Sequence, residues 1–125
     1  MPEPNAYELR MDLLSEGREP IDIPAIVSTC EHPWFNQSLC RVNDAVVRMG
    51  IFEGEFHFHS HDEEDEFFLV LEGMIHLDIE DETVTLCQHQ GCLVPKGVVH
   101  RPRSPEKSVV LMVERHTIDP VGSDE

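Results

Sequence analysis

A chain of 125 residues with 40% hydrophobic content supports one core, and two domains of half that length would each be marginal. Asp and Glu outnumber Lys and Arg by 25 to 9, a formal charge of −16, and that field excludes phosphate backbones and anionic lipid surfaces as natural partners. No apolar run approaches the roughly 18 residues of a membrane span, and Met1-Pro2-Glu3-Pro4 lacks the basic start of an export signal, so a cytoplasmic location is expected.

In chain order, Asn5 followed by Glu8 resembles a capping box, and Leu9, Leu13 and Leu14 recur at helical spacing before Gly17. This predicts a helix over about 6–16 within an N-terminal arm, residues 1–19. Pro20 and Pro24 break the chain, and Ala25 to Thr29 reads as one further helical turn. From about residue 38 the pattern changes to short extended runs: Val42 to Phe52, Phe67 to Leu71, Ile75 to Ile79, Val84 to Leu86, Leu93 to Pro95 and Val109 to Val113. In the third of these, Ile75, Leu77 and Ile79 alternate with His76, Asp78 and Glu80, the period of a half-exposed strand. Turn residues separate the runs at Glu53-Gly54, Glu72-Gly73, Asp81-Glu82, Gln90-Gly91, Lys96-Gly97 and Ser104-Pro105. Many short strands at this spacing indicate an all-β sandwich or barrel over residues 20–118. Residues 119–125 read as an acidic tail.

Cys30, Cys40, Cys87 and Cys92 form no CxxC pair and are expected as thiols, most of them packed as small hydrophobes. The densest chemical signal is Phe56-His57-Phe58-His59-Ser60-His61-Asp62-Glu63-Glu64-Asp65-Glu66. On a strand His59 and His61 share a face, their Cα atoms about 6.5 Å apart, close enough for both imidazoles to reach one ion. Glu66 follows a four-residue acidic loop and opens the next run, so an antiparallel neighbour would set its carboxylate beside the histidines. His100 arrives from a distance, after the Pro95–Gly97 turn. Three imidazoles and one carboxylate suit Fe, Mn, Ni, Co, Cu or Zn rather than Mg or Ca. His57 shares strand parity with the two ligands and is a candidate spare ligand or proton shuttle; Phe56 and Phe58 are expected on the opposite face. Arg48, Arg101 and Arg103 are candidate partners for a substrate carboxylate or phosphate.

These residues resemble a known family. His59-x-His61-x4-Glu66-x6-Gly73 is similar to the first cupin motif, and Pro95-x-Gly97-x2-His100 to the core of the second. The surrounding "DEFFLVLEG" and "VPKGVVHRP" resemble small single-domain cupins of the mannose-6-phosphate isomerase-like kind, over roughly residues 20–120. The resemblance implies a jelly-roll β-barrel, frequently a homodimer, with one divalent transition metal held by His59, His61, Glu66 and His100. Two departures stand out: only three residues separate Gly91 from Pro95 where five are usual, and Ser104 replaces a frequent Asn. The shorter spacing keeps strand alternation and shortens a hairpin.

The functional expectation is a metal-dependent enzyme acting on a small polar or acidic metabolite, of isomerase, lyase or dioxygenase type. Glu66 would be an anionic ligand and, on detaching, a base. The alternatives are a non-catalytic barrel that binds or senses a small ligand or the metal, and a structural dimer module with a vestigial site. The lone tyrosine, Tyr7, lies in the arm, which speaks against chemistry that needs a phenol at the metal.

Overall fold

The computed structural model describes residues 7–119 and 123–124. Its elements in chain order are β1 (Tyr7–Arg10), α1 (Ile23–Val27), β2 (Trp34–Val42), β3 (Ala45–Glu55), β4 (His59–Ser60), β5 (Glu66–Glu72), β6 (Ile75–Ile79), β7 (Glu82–Leu86), β8 (Gly91–Val94), β9 (His100–Arg115) and β10 (Ser123–Asp124). Strands dominate, as a jelly roll requires.

The helix expected over about 6–16 does not form. Within the described part of that span, Tyr7–Arg10 is extended and pairs in parallel with Trp34–Gln37. The leucine spacing was a weak helical signal, and backbone pairing on the free edge of β2 satisfies the same groups more completely. Gln37 reinforces this edge by donating from Nε2 to the Asp12 carbonyl at 2.9 Å. The expected turn near Ala25 is α1, two residues earlier, with Asp22 as N-cap accepting from the Ala25 N–H and Pro24 in the first turn.

The expected strand Val42–Phe52 is two strands. Asn43, at φ +53°, and Asp44 turn the chain between β2 and β3, with Val42 opposite Ala45. At Ser104-Pro105, where a turn was expected, β9 continues. This long strand is the hub of the fold: it pairs with β6 through His100–Arg103, and with both β3 and β5 through Val109–Glu114. Pro105 falls where the β3 ladder is interrupted, between Ser104 and Ser108.

Alternation along β3 separates two cores. Phe52 joins Trp34, Phe68, Val70, Ile75, Leu77, Leu86, Val94, Val110 and Met112 in the interior enclosed by the sheet. Met49 and Ile51 face the other way and pack with Phe35, Leu39 and Val109 under Ile23, Ile26 and Val27 of α1 and its approach. The sheet ladder itself is not closed. The expected acidic tail includes two residues, Ser123 and Asp124, whose backbone pairs with β4. Residues 1–6, 120–122 and 125 lie outside the described part.

Candidate metal centre

Four buried side chains converge at one end of the interior core. His59, His61, Glu66 and His100 each offer a ligand atom, and those atoms all lie within 4.8 Å of one another. The strands place them as follows. His59 on β4 sits directly opposite His100, the first residue of β9. Glu66 opens β5, opposite Val94 of β8 on one side and Glu114 of β9 on the other. β4 and β5 are not hydrogen-bonded neighbours, so Glu66 reaches the histidines across the interior rather than along a hairpin.

Two loops are tied together to hold this arrangement. Gly97 donates its N–H to the His61 carbonyl at 2.8 Å, and Lys96 donates its N–H to Asp65 Oδ1 at 2.9 Å. The acidic loop therefore anchors the Pro95–Gly97 turn that delivers His100. Gly97 sits at φ +81°, a conformation that favours glycine.

Ring orientation is set from behind. His59 Nδ1 lies 2.9 Å from the His57 carbonyl, and His100 Nδ1 lies 3.0 Å from the Val98 carbonyl. A carbonyl only accepts, so each Nδ1 carries a proton, which points both Nε2 atoms at the centre; His59 Nε2 keeps its lone pair there, while His100 Nε2 meets the Glu66 carboxylate at 3.2 Å. Glu66 Oε1 is 3.2 Å from His100 Nε2 and 3.4 Å from His61 Nε2. The His61 contact lacks hydrogen-bond geometry, which leaves His61 Nε2 buried without a hydrogen-bond partner. An orphaned imidazole nitrogen inside a three-His, one-carboxylate set is what a transition-metal ligand looks like before the ion arrives. The residues present fit the group.

Titration behaviour agrees. Burial, followed by the neighbouring His100, lowers His59 from 6.5 to about 4. Burial alone would raise Glu66, but the contacts from His100 and His61 outweigh it and hold the carboxyl at about 2. At neutral pH the site offers an uncharged His59 and an ionised Glu66, the forms that ligate.

A second carboxyl lies behind the first. Glu114 is buried opposite Glu66, and Arg48 Nη1 stands 4.0 Å from Glu114 Oε2. Burial and then the Glu66 charge push the Glu114 carboxyl well up, while Arg48 opposes them. Glu114 was missed in the sequence; its parity with Val110 and Met112 was the available signal.

The remaining candidates are placed as follows. Arg48 points inward, on the face of Phe52 rather than that of Met49. Arg101 donates from Nε to Asp78 Oδ2 at 2.9 Å, lies 3.4 Å from Glu55, and covers the Phe58 ring at 4.6 Å. Arg103 donates to the same Asp78, at 2.7 and 3.2 Å. The His57 ring centroid is 5.1 Å from that of His59, in a segment between β3 and β4 that is not a strand. Because alternation fails there, Phe56 is not on the outer face as expected. It is buried in the interior core, 4.9 Å from Trp34, and only Phe58 faces out.

Beside the ligands a cavity of about 30 Å³ opens toward solvent, lined by Trp34, Asn36, Phe52 and Phe56 together with His59 and Glu66. Trp34 and Asn36 also escaped the sequence reading, which began its strands only at about residue 38.

With this geometry established, comparison with known proteins gives a consistent result. A family model described as "Cupin domain" matches residues 46–114. The uncharacterized protein YdbB of Bacillus subtilis (strain 168) is 40% identical over 102 residues, covering 81% of this chain and 90% of that protein. A mannose-1-phosphate guanylyltransferase of Sinorhizobium fredii (strain NBRC 101917 / NGR234) is 30% identical over 67 residues, 54% of this chain but 13% of that one. Among solved structures, a cupin-2 domain containing protein from Shewanella frigidimarina NCIMB 400 superposes with a TM-score of 0.72 at 29% identity, over 76% of this chain and 93% of that chain.

Proposed function

This chain belongs to the cupin family, and from that premise we propose that it is a metal-dependent enzyme holding one divalent transition metal through His59, His61, Glu66 and His100 and acting on a small polar metabolite. One observation carries the reading: four buried donor atoms within 4.8 Å of one another, three of them from residues 59–66 and the fourth from His100, more than 30 residues later. When bound, a divalent metal supplies Lewis acidity toward a carbonyl or hydroxyl oxygen. The chain's own residues do the rest. The carbonyls of His57 and Val98 hold two imidazoles in the ligating tautomer. The aromatic wall of Trp34, Phe52 and Phe56 excludes bulk water from one side of the cavity. Glu66 would balance the charge of the ion and is the candidate base toward the substrate, and His57, its ring centroid 5.1 Å from that of His59, is the candidate to carry a proton outward.

In this proposal Arg48 and Arg101 hold carboxylates of the protein itself, Glu114 and Asp78, and a substrate would have to displace them to be bound there. The proposal also takes the protein to be a homodimer, which light scattering on the purified chain would show as twice the 14.3 kDa monomer.

The test is metal analysis of untagged protein purified without chelating resin, beside His59→Ala and His100→Ala. About one equivalent of a single transition metal, absent from both variants, is the expected result. No metal in the wild type, and no uptake of Fe, Mn, Ni, Co, Cu or Zn when each is added, would overturn it. Turnover of a small metabolite lost in Glu66→Gln marks an enzyme; tight ligand binding without turnover marks a carrier or sensor.

A further inference from the structure

The four candidate ligands are 1–5% exposed, too deep for an ion to reach without movement of the chain. The cavity beside them does not serve as an entrance: at about 30 Å³ it has room for about one water, whereas a divalent ion arrives with several. Three of the four side chains are fixed by ladders. His59 pairs with His100, His100 pairs also with Ile79, and Glu66 is paired on both sides, with Val94 and Glu114. His61 is the exception: it lies in no strand, as the first residue of the loop 61–65 between β4 and β5. Three hydrogen bonds close that loop. Gly97 N–H donates to the His61 carbonyl at 2.8 Å, Lys96 N–H to Asp65 Oδ1 at 2.9 Å, and Thr117 Oγ1 to Glu64 Oε2 at 3.0 Å. Asp65, Lys96, Gly97 and Thr117 are all exposed, so water replaces each bond as it opens and the net cost of opening is small.

We propose that the loop 61–65 is the gate by which a metal ion enters and leaves the candidate centre, with His61 the ligand that travels on it and Asp65 its latch. The inference rests on the proposed metal site and adds to it how that site is loaded. Opening parts the loop from the Pro95–Gly97 turn and from Thr117 and carries the His61 imidazole away from Glu66. The other three side chains stay on their strands. Asp65 acts through the loop rather than on the ion, so it is a positioning residue. Its loss favours the open form of loaded and unloaded protein alike. Both exchange rates therefore rise by a similar factor while the affinity, their ratio, stays nearly constant.

The test has a metal-free arm and a metal arm, each with the wild type beside Asp65→Ala and Asp65→Asn. In metal-free protein, diethyl pyrocarbonate acylates imidazoles as they become accessible, and peptide mass spectrometry reads the order. His61 is expected to react before His59 and His100, and about fivefold faster in Asp65→Ala, the effect of one hydrogen bond. In the second arm, zinc uptake by metal-free protein and zinc release to a coloured chelator are timed. Both are expected to be about fivefold faster in Asp65→Ala with Kd nearly unchanged, whereas Asp65→Asn, which keeps the accepting oxygen, behaves as the wild type. His59 or His100 acylated ahead of His61 in the wild type would overturn the inference without any variant having to fold. Zinc rates unchanged in Asp65→Ala would place the entrance elsewhere and overturn it too. Faster release with unchanged uptake would overturn it by making Asp65 a support for the bound ion rather than a latch. A wild type that takes up no metal ion at all counts against the metal reading, and the acylation order then still decides whether the loop opens first.

Discussion

Glu66 and Glu114 face each other from β5 and β9, yet only one of them can serve an ion. Glu66 is drawn toward its charged form by His100 and His61, whereas burial and the Glu66 charge push Glu114 the other way. Arg48, buried with its Nη1 4.0 Å from Glu114, opposes that push and draws the carboxyl back toward its charged form. Removing one member of a buried pair costs about 3–5 kcal/mol, whereas replacing both costs far less. Arg48→Met should therefore lower stability by about 3 kcal/mol in urea unfolding, and Arg48→Met with Glu114→Gln should recover much of the loss. A double variant no more stable than the single would refute the pairing. The histidines give a pH dependence. His59 gains a proton near 6.5 in the unfolded chain but only near 4 in the folded one, so its contribution is complete above pH 6.5 and is lost as pH falls toward 4. Glu66 adds a second loss, from about 4.5 down to about 2. Metal-free protein should thus show a Tm that declines in two stages on acidification, the first flattened in His59→Gln; a Tm constant from pH 7 to 4.5 would contradict this.

Among the elements, β9 carries the most. Its first residue is a candidate ligand, its first four pair with β6, and Glu114, one residue before its end, lies opposite Glu66. Asp78 of β6 secures the first section by accepting from Arg101, Arg103 and Thr83. Those contacts hold its carboxyl well below the usual carboxylate range, Arg103 foremost. Asp78→Ala should lower Tm by a few degrees and speed amide exchange of Ile79 and Leu77, the residues paired with His100 and Pro102. It should also weaken metal retention, because His100 loses its lateral support. Unchanged exchange along β6 would show that the backbone ladder suffices without the side chains.

At the scale of the molecule, a ligand that binds only the folded state stabilises it by mass action, by about 2.7 kcal/mol at a hundredfold excess over Kd. For a chain of this length that is a rise in Tm of about 10 °C. Adding the native metal should produce it, EDTA should reverse it, and His61→Ala should abolish it. The same experiment ranks the metals, since the cognate ion gives the largest shift. A Tm indifferent to every ion would instead describe a jelly roll whose four polar groups are merely tolerated.

Much of this molecule was legible before any coordinates. Period-2 runs and turn residues determined an all-β fold, because side-chain alternation and positive-φ turns are local properties. The spacing His59-x-His61-x4-Glu66 and the turn before His100 picked out the four side chains that converge in the fold as a candidate metal group, although Glu66 reaches them across the interior rather than from a neighbouring strand. What lies beyond a few residues was not legible. Leu9 to Leu14 carried a helical spacing that lost to the open edge of β2, a competition decided by a strand more than 20 residues away. Phe56 was assigned outward on an alternation that ends with β3. Arg48, read as a candidate partner for substrate, lies instead in the interior beside Glu114, a placement set by which side of β3 the α1 region covers. Asn36, Glu114 and the Asp65 anchor became visible only in three dimensions, because each acts on a partner from another strand or loop. The candidate metal-binding residues are marked by short-range spacing; the ring orientations, the counter-charge and the cavity wall come from the packing of strands far apart in sequence.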